Sequence, residues 1–186
     1  MDRVAPRSTR FRFLASAALA FACASSPPVE TRSPAASALA EAGTTGLGDA
    51  IDLEVARIRA ATAAFAVLDE AVAAGYAPDV AHCVDNPPHG GMGYHHQNAS
   101  LLDDRIELER PEILVYERLP DGEYRFNGVE YIVPFSAWPA DAPEPPTVMG
   151  RELKPAPSLR LWYLHVWVWL ENPSGLFADW NPRVSC

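Results

Sequence analysis

The chain has 186 residues, 48% of them hydrophobic, and its 24 acidic against 15 basic side chains give a formal net charge of −9. That length suits one compact domain with room for a full core, and an acidic surface repels phosphate backbones, which argues against a nucleic-acid partner. No stretch reaches the ~20 apolar residues that carry a helix across a bilayer.

The chain opens MDRVAPRSTRFRFLASAALAFACASS, four arginines followed by a short apolar run and then small residues. This is the layout of a secretory signal over residues 1–22, and it predicts an exported, periplasmic or cell-surface protein. Ala20-Phe21-Ala22 ahead of Cys23 resembles the lipobox of bacterial lipoproteins, with alanine where leucine is usual three residues before the cysteine. Cys23 is therefore the candidate lipidation site, and its acyl chain would make a membrane the partner. The alternative is ordinary cleavage that leaves Cys23 a free thiol. The other two cysteines, Cys83 and Cys186, form an even pair that an oxidising compartment would join as a disulfide. Removal of residues 1–22 takes four basic and one acidic side chain, leaving 11 against 23 and a net charge of −12.

Residues 23–48, rich in Ala, Ser, Pro, Thr and Gly, read as a disordered tether to a single domain over 49–186. The next segment places Ile51, Val55, Ile58, Thr62, Phe65 and Leu68 at steps of three and four, which predicts one long helix over 50–74. Asp49 is placed to cap its start, and Gly75 and Pro78 to end it. HCVDNPPHGGMGYHHQN, with its two prolines and three glycines, reads as a loop. EILVYERLPDGEYRFNGVEYIVP reads as two strands joined through Pro120-Asp121-Gly122. After a proline-rich connection, the run Leu161 to Leu170 is apolar on both faces and predicts a third, central strand ended by Asn172-Pro173. The fold class is α+β, with one long N-terminal helix packed on a small, mainly antiparallel sheet.

Candidate chemistry gathers on the polar residues that interrupt these strands. His165 lies among apolar neighbours on the same face as Tyr163 and Trp167, and Glu130 interrupts an otherwise apolar strand. Buried ionisable groups of this kind need a partner or a metal. Should the glycine segment bring His95 over the sheet, then His95, Glu130 and His165 form a ligand set for a divalent transition metal: zinc, iron, manganese or copper. Met92 would be a soft ligand for copper, and Asp179 would orient a histidine or act as a general base. His82 and His89 read as exposed. A metal-free reading stands beside this one: His165 pairs with Glu130 in the core, His95 is a loop residue, and the aromatic side chains after Tyr94 line a pocket for an apolar or sugar ligand. Nothing in the chain matches a phosphate loop, the G-x-S-x-G or S-x-x-K of serine hydrolases, C-x-x-C or C-x-x-C-H.

The chain also carries A-T-A-x-F-x-x-L-D-x-A-x-A-A-G-Y, G-G-M-G-x-H, V-E-Y-I-V-P and a closing N-P-S-G-x-F-A-D-W-N-P-x-V-S-C. In these it resembles an uncharacterised family of short exported bacterial proteins, from about Ala60 to Cys186. The resemblance implies that His95, Glu130 and His165 belong to the family's motifs, and it implies no activity. His96 departs from the pattern, so the inward-pointing member of the His95-His96 pair is left open at this point.

Overall fold

The computed structural model describes residues 45–78 and 83–186. The signal segment, Cys23, most of the tether and His82 lie outside the described residues.

The helical segment begins at residue 49 and, contrary to the expectation of one long helix, breaks into two. Helix α1 (Asp49–Thr62) passes into a 3₁₀ turn (Ala63–Ala66), and α2 (Leu68–Ala73) follows after Val67, whose φ of −95° and ψ of 113° are extended. Two hydrogen bonds account for the break. Thr62 Oγ1 donates back to the Ile58 carbonyl at 2.8 Å, a bond that bends helices, and the Phe65 carbonyl accepts from the Tyr116 hydroxyl of the sheet at 2.8 Å. Tertiary contact thus overrides helical propensity at Phe65. Gly48 occupies the N-cap and Asp49 the first helical position, where it complements the helix dipole together with Asp52. The C-terminal expectation holds. Gly75 has a φ of 98° and donates to the Val72 carbonyl while Tyr76 donates to that of Ala71, the paired bonds of a Schellman motif.

The main sheet is built from β1 (Ala77–Pro78), β2 (Val84–Asp85), β3 (Gly91–Gln97), β4 (Ile113–Arg118), β5 (Tyr124–Pro134), β8 (Lys154–Ala156) and β9 (Leu161–Val166). It is antiparallel throughout, in the order β1-β3-β4-β5-β9-β8, with β2 also paired to β3. A separate hairpin joins β6 (Thr147–Val148) to β7 (Arg151–Glu152). The β4–β5 hairpin turns as expected, with Gly122 at a φ of 91° donating to the Leu119 carbonyl. The glycine segment GMGYHHQ is not a loop but strand β3, paired along His95-His96-Gln97 to Val115, Leu114 and Ile113. Strand β9 stops at Val166 rather than at Leu170. There the Trp169 and Leu170 amides leave the ladder to donate to the Asn127 carbonyl at 3.0 and 2.9 Å.

Alternation along β4, β5 and β9 divides the sheet's side chains between two faces. Val55 and Ile58 of α1 join Leu114, Tyr116, Val129, Tyr131, Leu164 and Val166 in the main core. Fully burying each such side chain contributes about 1.5–3 kcal/mol. The opposite face carries a smaller cluster of Ile113, Val115 and Ile132, with Leu161 and Tyr163 against it. The C-terminal segment crosses this molecule as a strap. Gly91 and Asn181 exchange backbone hydrogen bonds at 3.2 and 3.0 Å, Ser185 N donates to Glu117 Oε1 at 3.0 Å, and Cys186 forms the expected disulfide with Cys83.

Candidate metal centre

Cross-strand register assembles the site. Glu130 on β5 pairs directly with His165 on β9, so both side chains leave the same face of the sheet. His95 on β3 pairs with Val115, which pairs with Gly128. Gly128 packs tightly against the next strand, where an added Cβ would stand 2.6 Å from the Val166 carbonyl oxygen. His96 pairs with Leu114 and points to the other face, its ring 5.0 Å from that of Tyr116. His95 is therefore the inward-facing member of the pair with respect to the site.

His95, Glu130 and His165 are all buried, and their ligand atoms lie within 4.8 Å of one another. His95 Nε2 is 3.4 Å from His165 Nε2 and 3.4 Å from Glu130 Oε2, and His165 Nε2 is 3.7 Å from Glu130 Oε2. A point about 2.0 Å from all three atoms follows from those separations, which matches the bond lengths of a transition ion to imidazole nitrogen and carboxylate oxygen. The group can hold a metal ion.

Electrostatics favour the ligating form of both rings. Burial, with help from the neighbouring His96, pulls the His95 imidazole down to about 4, and the Gly93 backbone opposes this in part. Burial and then the charges of His95 and Lys154 hold His165 well below the usual imidazole range. Both are neutral at pH 7, as a metal requires. Among the described residues, neither Nδ1 meets a partner within hydrogen-bond geometry. Behind His165, Asp179 Oδ1 stands 4.0 Å from Nδ1, while Asp179 also engages Lys154 Nζ and accepts from the Tyr163 hydroxyl at 3.4 Å.

The three ligands open into a cavity of about 300 Å³. Its walls are mostly aliphatic, including Val84, Ile113, Ile132 and Leu161, and Met92 and Trp180 also line it. Tyr163 contributes a phenol. His89 is exposed, as expected, on the turn before β3.

Several participants escape sequence reading. Lys154 lies on the short edge strand β8 and reaches Asp179 only through the fold. Glu112 and Glu117 are buried carboxylates outside the site. Glu112 Oε2 accepts from Ile132 N at 3.1 Å, and burial pushes its carboxyl up to about 8. Glu117 pairs with Arg125. Their signal was available, since each borders the apolar run ILVY as Glu130 interrupts one.

No family model, curated protein or solved structure matches the chain.

Proposed function

We propose that the protein is an exported domain in which His95, Glu130 and His165 bind a divalent transition metal, with an open coordination position facing the apolar cavity. The mutual spacing of the three ligand atoms carries this reading. Separations of 3.4, 3.4 and 3.7 Å suit a divalent transition ion without choosing among zinc, iron, manganese and copper. Zinc, which catalytic sites hold with three protein ligands, is the ion to test first. Met92 on the cavity wall is the candidate soft ligand should the ion be copper. Bound zinc with one open position supplies Lewis-acid polarisation or an activated water.

Asp179 and Lys154 support the site from behind: Lys154 fixes Asp179, whose carboxylate, 4.0 Å from His165 Nδ1, acts on the ring electrostatically rather than through a direct hydrogen bond. We read Asp179 in this positioning role rather than as a general base, because it stands on the side of His165 away from Nε2 and Glu130.

The disulfide fits a compartment outside the cytoplasm, and among the described residues no helix is long and apolar enough to cross a membrane. Export through residues 1–22, a lipid anchor on Cys23 and kinship with the short exported bacterial proteins complete the proposal, and all three rest on the sequence motifs.

A second reading has its own support. At 3.4 Å the two Nε2 atoms are also spaced for one neutral hydrogen bond, which would make the cavity a metal-free binding pocket. Its mostly aliphatic walls then suit an apolar ligand better than a sugar. Elemental analysis of the untagged mature domain separates the two. About one zinc per chain, lost in a folded His95→Ala/His165→Ala double variant, is expected. Absence of any metal after reconstitution leaves the apolar pocket.

A further inference from the structure

We infer that the cavity over the metal binds a small apolar monocarboxylate, its carboxylate on the open coordination position and its tail along the aliphatic walls. This inference rests on the metal reading above and names the ligand class of that site.

Charge at the floor of the cavity points to an anion. Two imidazoles and one carboxylate around a divalent ion carry a formal net charge of +1. Lys154 and Asp179 form an ion pair behind it and cancel each other. An uncompensated charge beside apolar walls is unfavourable, and one monoanionic oxygen donor removes it. The acidic balance of the whole chain does not oppose this, because surface charges are screened over about 8 Å at physiological salt.

Shape and lining define the rest of the ligand. A volume of about 300 Å³ sits at the lower end of small-molecule sites, which run from about 300 to 1,000 Å³. Beside Glu130 and His165 the lining is supplied by Ile113, Ile132, Leu161 and Leu159, the last of them 70% exposed. A ligand with a polar head for the metal and an apolar tail for the aliphatic side chains matches this lining.

Titration calorimetry of the zinc-loaded mature domain with acetate, butyrate, hexanoate and 1-hexanol tests this, with zinc content measured on the same samples. Affinity should rise about fourfold per added methylene along the three acids, the fold-change that corresponds to burying one CH₂ group. Hexanoate should bind at least tenfold more tightly than 1-hexanol and at least tenfold more tightly than to the His95→Ala/His165→Ala variant. Leu159→Glu, a change at an exposed position, should keep its zinc and weaken hexanoate more than acetate. Zinc present with no chain-length dependence, or hexanoate binding equally well to the metal-free variant, overturns the inference while leaving the metal site standing. Zinc absent from the native protein overturns the metal reading, and this inference with it.

Discussion

Glu130 and His165 stand directly opposite each other on neighbouring strands, Oε2 to Nε2 at 3.7 Å, at a point where both strands are otherwise apolar. A regular antiparallel pair brings opposed side chains close without special loops, so the ligand geometry is built into the sheet register. Glu130→Gln should keep the fold and side-chain volume while removing the only anionic ligand of the group. Zinc affinity is expected to fall more than about 100-fold, beyond the range of about 10–100-fold that follows loss of an outer hydrogen-bond partner. His96→Gln, on the opposite face, should leave zinc affinity unchanged. Competition with a chromophoric chelator measures both variants, and a larger loss in His96→Gln would mean that the wrong histidine has been assigned.

The fold was legible where local chemistry dictated it. Gly75, the Asp121-Gly122 turn and the apolar runs of β4 and β5 sit where sequence periodicity puts them, and the odd cysteine count pointed to the Cys83–Cys186 bond. The break at Val67 was not legible, because it depends on the Tyr116 hydroxyl capturing the Phe65 carbonyl from 51 residues away. The same holds for β3. Its glycines carry low strand propensity, and only pairing to β4 on one side and to β1 and β2 on the other holds the segment extended. Of the site, the three ligand types could be read as buried polar residues out of pattern, whereas the cavity could not: a strand apolar on both faces does not reveal which face is covered.

Asp179 is the sharpest test of the support behind the ligands. Asp179→Asn should retain about one zinc per chain yet weaken affinity roughly 10-fold or more, since a carboxylate facing Nδ1 raises the basicity of a ligating imidazole. Lys154→Met should move affinity in the same direction through Asp179. If neither variant changes affinity while Glu130→Gln does, the distance of 4.0 Å between Asp179 and His165 reflects proximity without function.

Glu112 gives the protein a pH dependence separate from the site. Its carboxyl is raised from an ordinary value near 4.5 to about 8 by burial first, with Asp103 and Glu107 adding to the effect. The folded state therefore holds a proton that the unfolded state has released, and stability falls as pH rises from about 4.5 to 8, by at most about 1.4 kcal/mol per pH unit. His95, lowered to about 4, acts in the opposite sense: its contribution is present above 6.5 and is lost as pH falls toward 4. Glu112→Gln preserves an acceptor for Ile132 N and removes the ionisation. Urea denaturation of the metal-free protein at pH 6 and pH 8 should show a smaller alkaline loss in this variant, and an unchanged loss would place the responsible group elsewhere.

The disulfide closes a loop of 103 residues and pins the strap that bears Asp179 and Trp180. Replacing both Cys83 and Cys186 by serine should cost about 2–5 kcal/mol, as removal of native disulfides from small exported domains does. The sheet bonds of Asn181 with Gly91 are independent of the sulfur atoms, so zinc should still bind at one per chain with lower affinity. Loss of stoichiometry rather than affinity would show that the strap completes the site.

Gly93 decides whether His95 faces the cavity at all. On a regular strand, residues three apart point to opposite faces, yet Met92 and His95 both line the cavity. The positive φ of 105° at Gly93 breaks the alternation between them, and the backbone there passes so close to β4 that an added Cβ would stand 2.3 Å from the Tyr116 carbonyl oxygen. Gly93→Ala must therefore either strain the chain or flatten the irregularity, and flattening would turn His95 away from Glu130. Gly150 at the β6–β7 turn supplies the control, because it too has a positive φ, at 64°, but has nothing within 4 Å of the added atom. Gly150→Ala should cost about 1–2 kcal/mol from backbone conformation alone, whereas Gly93→Ala should cost clearly more and abolish zinc binding. Chemical denaturation and zinc content, measured on both variants, decide the matter. Equal costs with zinc retained would show that strand β3 can seat His95 without the glycine, and that register alone sets the site.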